Sequence, residues 1–323
     1  MIVLDGITEA AHFHYSRVSA AFVQSPTPAV TILQPAAAET VLYFPFAKAD
    51  APALNQSALV PTASPTQAPQ PTPTLGPNDW MNLPIIPTVS KTAILIYQKG
   101  LALGNNPNAF SKVGDCNSLS TRFLTYFDGD PATYYNLEAY SNLQPAISQF
   151  SGSFKRVSQA VGDGFNTSAV LSPFRADPNN CKAGESPLSC EYRIQKPSFA
   201  FIAIGTDDYL TPDKFEANLR QILDTAINLG IVPILATKAD NANQLNYNPI
   251  IAKVALEYDI PLWNLWRAMN PLPGQGMEDN IHPSGTFAAF DFSSENLSKY
   301  GWPMRNLTAL QVLDAVWRGV AQP

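Results

Sequence analysis

Two hydrophobic spacings alternate along the later part of this chain, and together they predict its architecture. TAILIYQKGLALG at 91–103 has the stripe of an amphipathic helix, with Ser90 placed to cap it and the turn-like GNNP at 104–107 to follow. KVGD at 112–115 predicts a short strand running into a turn. SLSTRFLTYF at 118–127 and residues 138–150 predict helices, and RVSQAV at 156–161 a strand. FAFIAIG at 199–205 is a nearly continuous apolar run, the pattern of a strand covered on both faces. Pro212 suits the first turn of a helix over 212–228, and Gly230 its end. IVPILAT at 231–237 is a second buried strand, in which Pro233 requires a bulge or an early-strand position. A helix over 248–258, a strand at PLWNLW (261–266) and a last helix near 306–319 complete the series. Strands alternating with helices predict an α/β fold, a three-layer α/β/α sandwich around a central parallel sheet. Ligands of such sheets gather beyond the carboxyl ends of the strands.

The first 90 residues carry a different pattern. They hold only seven Asp, Glu, Lys or Arg residues and 13 of the 29 prolines. Apolar patches such as VTIL (30–33) and ETVLYFPF (39–46) are interrupted by Pro35, Pro45 and Pro52. VPTASPTQAPQPTPTLGP at 60–77 favours extended polyproline-like backbone and offers little to a core. The expected division is a poorly structured N-terminal region at 1–59, a Pro/Thr-rich linker at 60–90 and a folded domain at 91–323.

Charge and composition narrow the partners. A formal net charge of −6 with no Lys/Arg cluster argues against nucleic acid. No apolar stretch is long enough to predict a membrane span, and the start MIVLDGITEA lacks the basic-then-apolar order of a secretory signal. No glycine-rich phosphate loop or zinc-ligand spacing is present, so no cofactor and no metal are expected. Cys181 and Cys190 flank the short segment KAGESPLS. A bridge between them would add about 2–3 kcal/mol through loop closure and would place the chain in an oxidising compartment; two reduced thiols are the alternative.

Three loops at predicted strand ends carry chemistry: GDCNS (114–118), GTDD (205–208) and DNIH (279–282). A thiol at a helix start, such as Cys116, can be stabilised as thiolate by backbone donors. It also needs a base. His12 and His14 lie in the N-terminal region, which leaves His282 as the one histidine of the folded domain. Asp279, three residues earlier, is placed to orient the imidazole, giving the base–orienter half of a nucleophilic triad. Asp115 is read as stabilising the nucleophile turn, and Asp208 and Thr206 as capping the helix near 212 or satisfying its entrance loop. Trp263 and Trp266 are read as core, Trp302 as an exposed candidate.

These blocks resemble the SGNH hydrolase family, the GDSL-like esterases and lipases, over about residues 91–320. GDCNS is similar to the first block, with Cys116 where the family has its serine nucleophile. GTDD is similar to the third, with Asp207 at the oxyanion-hole asparagine. DNIH matches the last, giving Asp279 and His282 as acid and base. Gly164 in AVGDGFN (160–166) is the counterpart of the second-block glycine, whose backbone N–H helps form the oxyanion hole. GDG at 162–164 is not the nucleophile motif, because Gly164 has no nucleophilic side chain.

The resemblance implies a flavodoxin-like fold and hydrolysis of a carboxyl ester on an acylated carbohydrate, lipid or small molecule, through an acyl-cysteine intermediate. Asp207 departs from the pattern: an ionised carboxylate cannot donate to an oxyanion, and one lost donor costs about 3–4 kcal/mol. Asn117 or a backbone N–H is then the compensating donor. The alternative is a non-catalytic carbohydrate- or envelope-binding surface protein on the same fold. Linker and bridge together predict an extracellular or cell-surface location, with association with the cell envelope.

Overall fold

In the computed structural model of the chain, residues 75–239 and 246–321 are described; all belong to the compact unit Gln67–Pro323. The expected N-terminal region, the first half of the Pro/Thr-rich linker (60–74), His12 and His14 lie outside the described residues.

Four strands form one parallel sheet in the order β1 (Asn106–Gly114), β2 (Pro197–Ala203), β3 (Val232–Ala236) and β4 (Leu262–Trp263). The register is set by pairs such as Phe110↔Phe199, Phe201↔Ile234 and Ala236↔Trp263. Beyond β1, Val161 bridges Gly114 in parallel, with Gly114 N–H donating to Ala160 O at 3.0 Å. Only this bridge forms where 156–161 predicted a strand. The backbone there turns instead: Val161 N–H reaches back to Ser158 O, and Gln159 N–H is drawn to the Glu191 carboxylate at 2.8 Å.

The helices follow in chain order as α1 (Lys91–Ala102), α2 (Cys116–Leu119), α3 (Pro131–Tyr134), α4 (Gln144–Gln149), α5 (Thr167–Leu171), α6 (Pro187–Gln195), α7 (Pro212–Asn228), α8 (Asn248–Glu257), α9 (Leu265–Met269), α10 (Ser294–Leu297) and α11 (Gly301–Ala321). Strand alternation sorts them into two layers. Phe199 and Phe201 point to the side of α1, α4 and α11, where Phe199 stacks on Tyr97 and meets Phe150 edge-on. Ser111 points to the other side, toward α6, which with α7 and α8 covers that face. The sheet is therefore the middle of an α/β/α sandwich, as the alternation predicted. Fully buried Phe110, Phe123, Phe150, Phe154, Phe199 and Phe201 occupy one side of it, each contributing about 1.5–3 kcal/mol by leaving water.

Several expected boundaries move. Ser90 does cap α1, its Oγ accepting from Ala93 N–H at 3.0 Å, and Pro233 is the second residue of β3, within an unbroken register. The helix expected over 118–127 stops at Leu119: Phe123 and Leu124 turn inward to full burial, and Leu124 takes a positive φ. The strand expected at 261–266 is only Leu262–Trp263, because Asn264 ends it by capping α9, accepting from Arg267 N–H at 3.2 Å. Trp302, expected exposed, is buried in the first turn of α11, which begins at Gly301 rather than near 306.

The folded unit also begins before Lys91. Trp80 is buried and meets Trp266 edge-on at 4.9 Å. Asn264 Nδ2 donates to Trp80 O and Leu83 O, and Asn264 N–H to Ile85 O. The apolar run WMNLPII at 80–86 thus gives this part of the proline-rich segment a surface to bury, which the stretch at 60–74 lacks.

Candidate active site

The three loops singled out from sequence all emerge at the carboxyl edge of the sheet. After β1, Gly114 lets the chain pass where a side chain has no room: an added Cβ would lie 2.2 Å from Ala203 O and 2.4 Å from Ser118 Oγ. Asp115 then caps α2, its Oδ1 accepting from Asn117 N–H at 3.0 Å, the turn-stabilising role expected of it. Cys116 is thereby the first residue of that helix, where backbone N–H groups lack intrahelical acceptors.

After β2, Gly205 adopts φ +129°, and a Cβ there would press on the Lys238 side chain at 3.0 Å. Glycine alone takes this backbone readily. Among the described residues no side chain caps the helix that begins at Pro212, and Asp208 serves the loop instead. It is fully buried and accepts from Thr167 N–H (3.0 Å) and Thr167 Oγ1 (2.8 Å), tying this loop to the start of α5. Asn166 Nδ2 adds a bond to Asp207 O at 3.3 Å. The segment that carries Gly164 is therefore held against the GTDD loop. Thr206 is buried as well, in the floor behind the loops.

The third loop contains a well-formed acid–base pair. Asp279 Oδ2 lies 2.9 Å from His282 Nδ1, while Oδ1 accepts from the N–H groups of Ile281 and His282, each at 2.6 Å. These bonds, led by that from the imidazole, hold the Asp279 carboxyl down at about 2. Facing a carboxylate, Nδ1 keeps its proton, which leaves Nε2 as the acceptor. Both side chains are about half exposed.

One hydrogen bond joins the first and third loops: Asn117 Nδ2 donates to Ile281 O at 2.9 Å. It sets the neighbours Cys116 and His282 on abutting turns. One of the two N–H groups of the Asn117 amide is thereby engaged in holding the loops together. Among the described residues no hydrogen bond joins Cys116 Sγ to His282. The thiol is pushed up to about 12, first by burial and then by the negative charges of Asp115 and Asp207, with a smaller push from Asp163; the Asn117 backbone N–H opposes them. That Asp207 and Asp163 act on the thiol places both the GTDD loop and the loop of Gly164 within electrostatic reach of Cys116. Gly162 N–H is taken by Gly114 O at 3.3 Å, whereas Gly164 lies exposed with φ +66°.

Two buried cations behind these loops escaped sequence reasoning. Lys238 follows β3, and Arg305 lies in α11 with its guanidinium over the rings of Phe123 (4.6 Å) and Trp263 (5.6 Å). With Asp115, Asn117, Thr206 and Ile281 they line a cavity of about 20 Å³. A void of that size admits about one water, so a substrate has to approach from the open side of Cys116 and His282. The strand-end position of Lys238 was a usable signal; nothing in the sequence around Arg305 marks it. Away from the site, Cys181 and Cys190 form a disulfide, and Cys116 is the free cysteine. Among the described residues no cluster of three His, Cys, Asp or Glu side chains is placed to hold a metal.

No protein-family model matches the chain, and no curated protein matches it. Among solved structures it is similar to a G-D-S-L family protein described as lipolytic, from Desulfitobacterium hafniense DCB-2. The identity is 16% and the TM-score 0.37, over 64% of this chain and 99% of that one. It is similar also to a GDSL-like lipase from Bacteroides thetaiotaomicron VPI-5482, at 16% identity and a TM-score of 0.39, over 69% of this chain and 98% of that one. The fold assignment rests on the sheet and layers described above, and the site on its own geometry.

Proposed function

We propose that this chain is a carboxyl-ester hydrolase of SGNH type, with Cys116 as nucleophile, His282 as general base and Asp279 as its orienting acid. One observation carries the reading: the Asp279–His282 pair is fixed by two backbone donors and is tied to the Cys116 turn through Asn117 and Ile281. A surface Asp–His pair has no need of that link.

In this reaction Sγ attacks the ester carbonyl carbon as its proton passes to His282 Nε2. The carbonyl oxygen becomes an oxyanion beside the N–H groups of Cys116 and Gly164. Collapse breaks the ester C–O bond, and the departing alcohol takes the proton from the imidazolium. Water then attacks the acyl-cysteine, loses its proton to His282, and releases the acid and the thiol. A thiol pushed up to about 12 favours proton transfer concerted with attack over a preformed thiolate. An ionised Asp207 contributes no donor to the oxyanion. The Cys181–Cys190 disulfide supports an oxidising, extracellular or surface setting.

The acidic surroundings of Cys116 favour a second reading, a non-catalytic binding protein that keeps the cleft. Short-chain aryl esters separate the two. Hydrolysis by the wild type that disappears in Cys116→Ala and in His282→Ala supports the enzyme. Equal rates in all three proteins, or none in the wild type, would sink it.

A further inference from the structure

A second concave surface is built from segments that follow both halves of the site along the chain. Its volume is about 300 Å³, at the small end of ligand pockets. One wall, from Arg122 to Asn136, follows the Cys116 turn, and the other, from Thr286 to Asp291, follows His282. Arg122 is six residues past Cys116 and Phe287 five past His282, so each wall has a residue within about 20 Å of its catalytic residue by chain reach alone.

The walls are fixed to each other from behind. Buried Asn306 accepts from Leu124 N–H at 3.0 Å and donates to Arg122 O (2.7 Å) and Ala289 O (2.8 Å). Asn136 and the 290–292 segment exchange backbone bonds in both directions, Asn136 N–H to Phe290 O and Phe292 N–H to Asn136 O. Such a groove is held in shape before any ligand arrives.

Its lining mixes aromatic faces with polar groups. Tyr134 and Phe287 are half or more exposed, and Tyr126 lies between Tyr134 at 5.7 Å and Phe290 at 4.7 Å. Exposed rings of this size have no packing reason to face solvent together. Arg122, Thr133, Asn136, Thr286 and Asp291 stand among them. Asp291 is already committed to Asn136 and Asn296, whereas the half-buried Arg122 guanidinium has no partner among the described residues. An acyl chain would have to strip water from these polar groups without replacing it. A sugar ring does not: its C–H faces stack on the aromatic rings while its hydroxyls accept from Arg122.

We propose that this groove is a saccharide subsite, binding the glycan part of an acylated carbohydrate while the ester reaches Cys116. The proposal rests on the hydrolase reading for its use, but not for its test. Binding is measured by titration calorimetry on the full chain carrying Cys116→Ala, with xylotetraose, cellotetraose and the tetramer of N-acetylglucosamine as probes and decanoate as the acyl control. At least one tetramer binds, decanoate does not, and Tyr134→Ala and Phe287→Ala each weaken binding about tenfold. Both side chains are exposed, so an unchanged melting temperature shows that these variants fold. Arg122→Gln weakens binding further than Arg122→Lys, which keeps a donor. Binding of decanoate alone, of none of the probes, or of a tetramer unaffected by the two aromatic variants would overturn the subsite. Because no turnover is involved, a protein that binds sugar but hydrolyses nothing refutes the esterase and leaves the subsite standing.

Discussion

The turn that carries His282 and the turn that carries Cys116 are joined by the Asn117–Ile281 hydrogen bond, yet their surroundings act in opposite directions. At the His282 turn, the imidazole and two backbone N–H groups hold Asp279 at about 2, ionised and able to orient the ring. At Cys116, burial and the charges of Asp115, Asp207 and Asp163 push the thiol to about 12. The base is prepared and the nucleophile is not. A hydroxyl would lose little in the same place, since it is never ionised beforehand and surrenders its proton only as it attacks. The acidic collar is thus tolerable for oxygen chemistry and costly for a preformed thiolate.

The broadest way to break that comparison is to remove either partner. Cys116→Ala and His282→Ala should each lower the rate constant for aryl-ester hydrolysis by at least about 10³-fold, with unchanged melting temperature, because nucleophile and base act as a unit. A His282 variant that kept most of its activity would show the prepared base to be idle. Next in size is Asp207→Asn, which sharpens the comparison by relieving one side of it. It removes a negative charge from the thiol and restores an oxyanion donor worth about 3 kcal/mol, so kcat should rise about 10²-fold. The pH midpoint for alkylation of Cys116, the free cysteine, should move down from about 12. A midpoint that stayed in place would mean that burial alone sets it.

How much of this was legible beforehand depended on whether the signal was local. β2, α7 and β3 follow from continuous apolar runs closed by Pro212 and Gly230, and the structure reproduces them closely. The Asp279–His282 pair is equally local, three residues apart on one turn. What failed was decided by distant partners. SLSTRFLTYF has helical spacing, but Phe123 and Leu124 are claimed by the core and by Asn306, far along the chain. Trp302 was placed on the surface because its covering came from elsewhere in the fold. Asn117 was read as a compensating oxyanion donor, and only the fold shows that one of its two amide N–H groups is bonded to Ile281 O. For Asp208 the sequence left a helix cap and a loop support both open, and the partner that decides for the loop, Thr167, lies 41 residues away.

The support beneath the Gly164 loop offers a smaller test. Fully buried Glu191 pairs with Arg156 and accepts from Ser111 Oγ and Gln159 N–H, just before the turn of Gly162 and Gly164. Glu191→Gln leaves Arg156 without its counter-charge and should destabilise the fold by about 3 kcal/mol, read from urea unfolding. If the Asp163–Gly164 loop is positioned this way, ester hydrolysis should also fall below the temperature at which the variant unfolds. A loss of stability with an unaltered rate would show the collar around Cys116 to be set independently of Glu191.

The smallest effect belongs to the prepared side. The depressed carboxyl of Asp279 contributes stability that is fully present above its unfolded value of about 4 and is lost as pH falls through its folded value of about 2. Asp279→Asn keeps an oxygen to accept from Ile281 and His282 N–H but removes the charge. The wild type should therefore melt higher than the variant at pH 5, and the gap should close between pH 4 and pH 2. Since both side chains are about half exposed, solvent screening limits the gap to under about 1 kcal/mol, and 1 M salt should reduce it further. A gap that persisted unchanged at pH 2 would mean that the carboxylate holds the turn by shape rather than charge, and the contrast with Cys116 would then rest on the nucleophile alone.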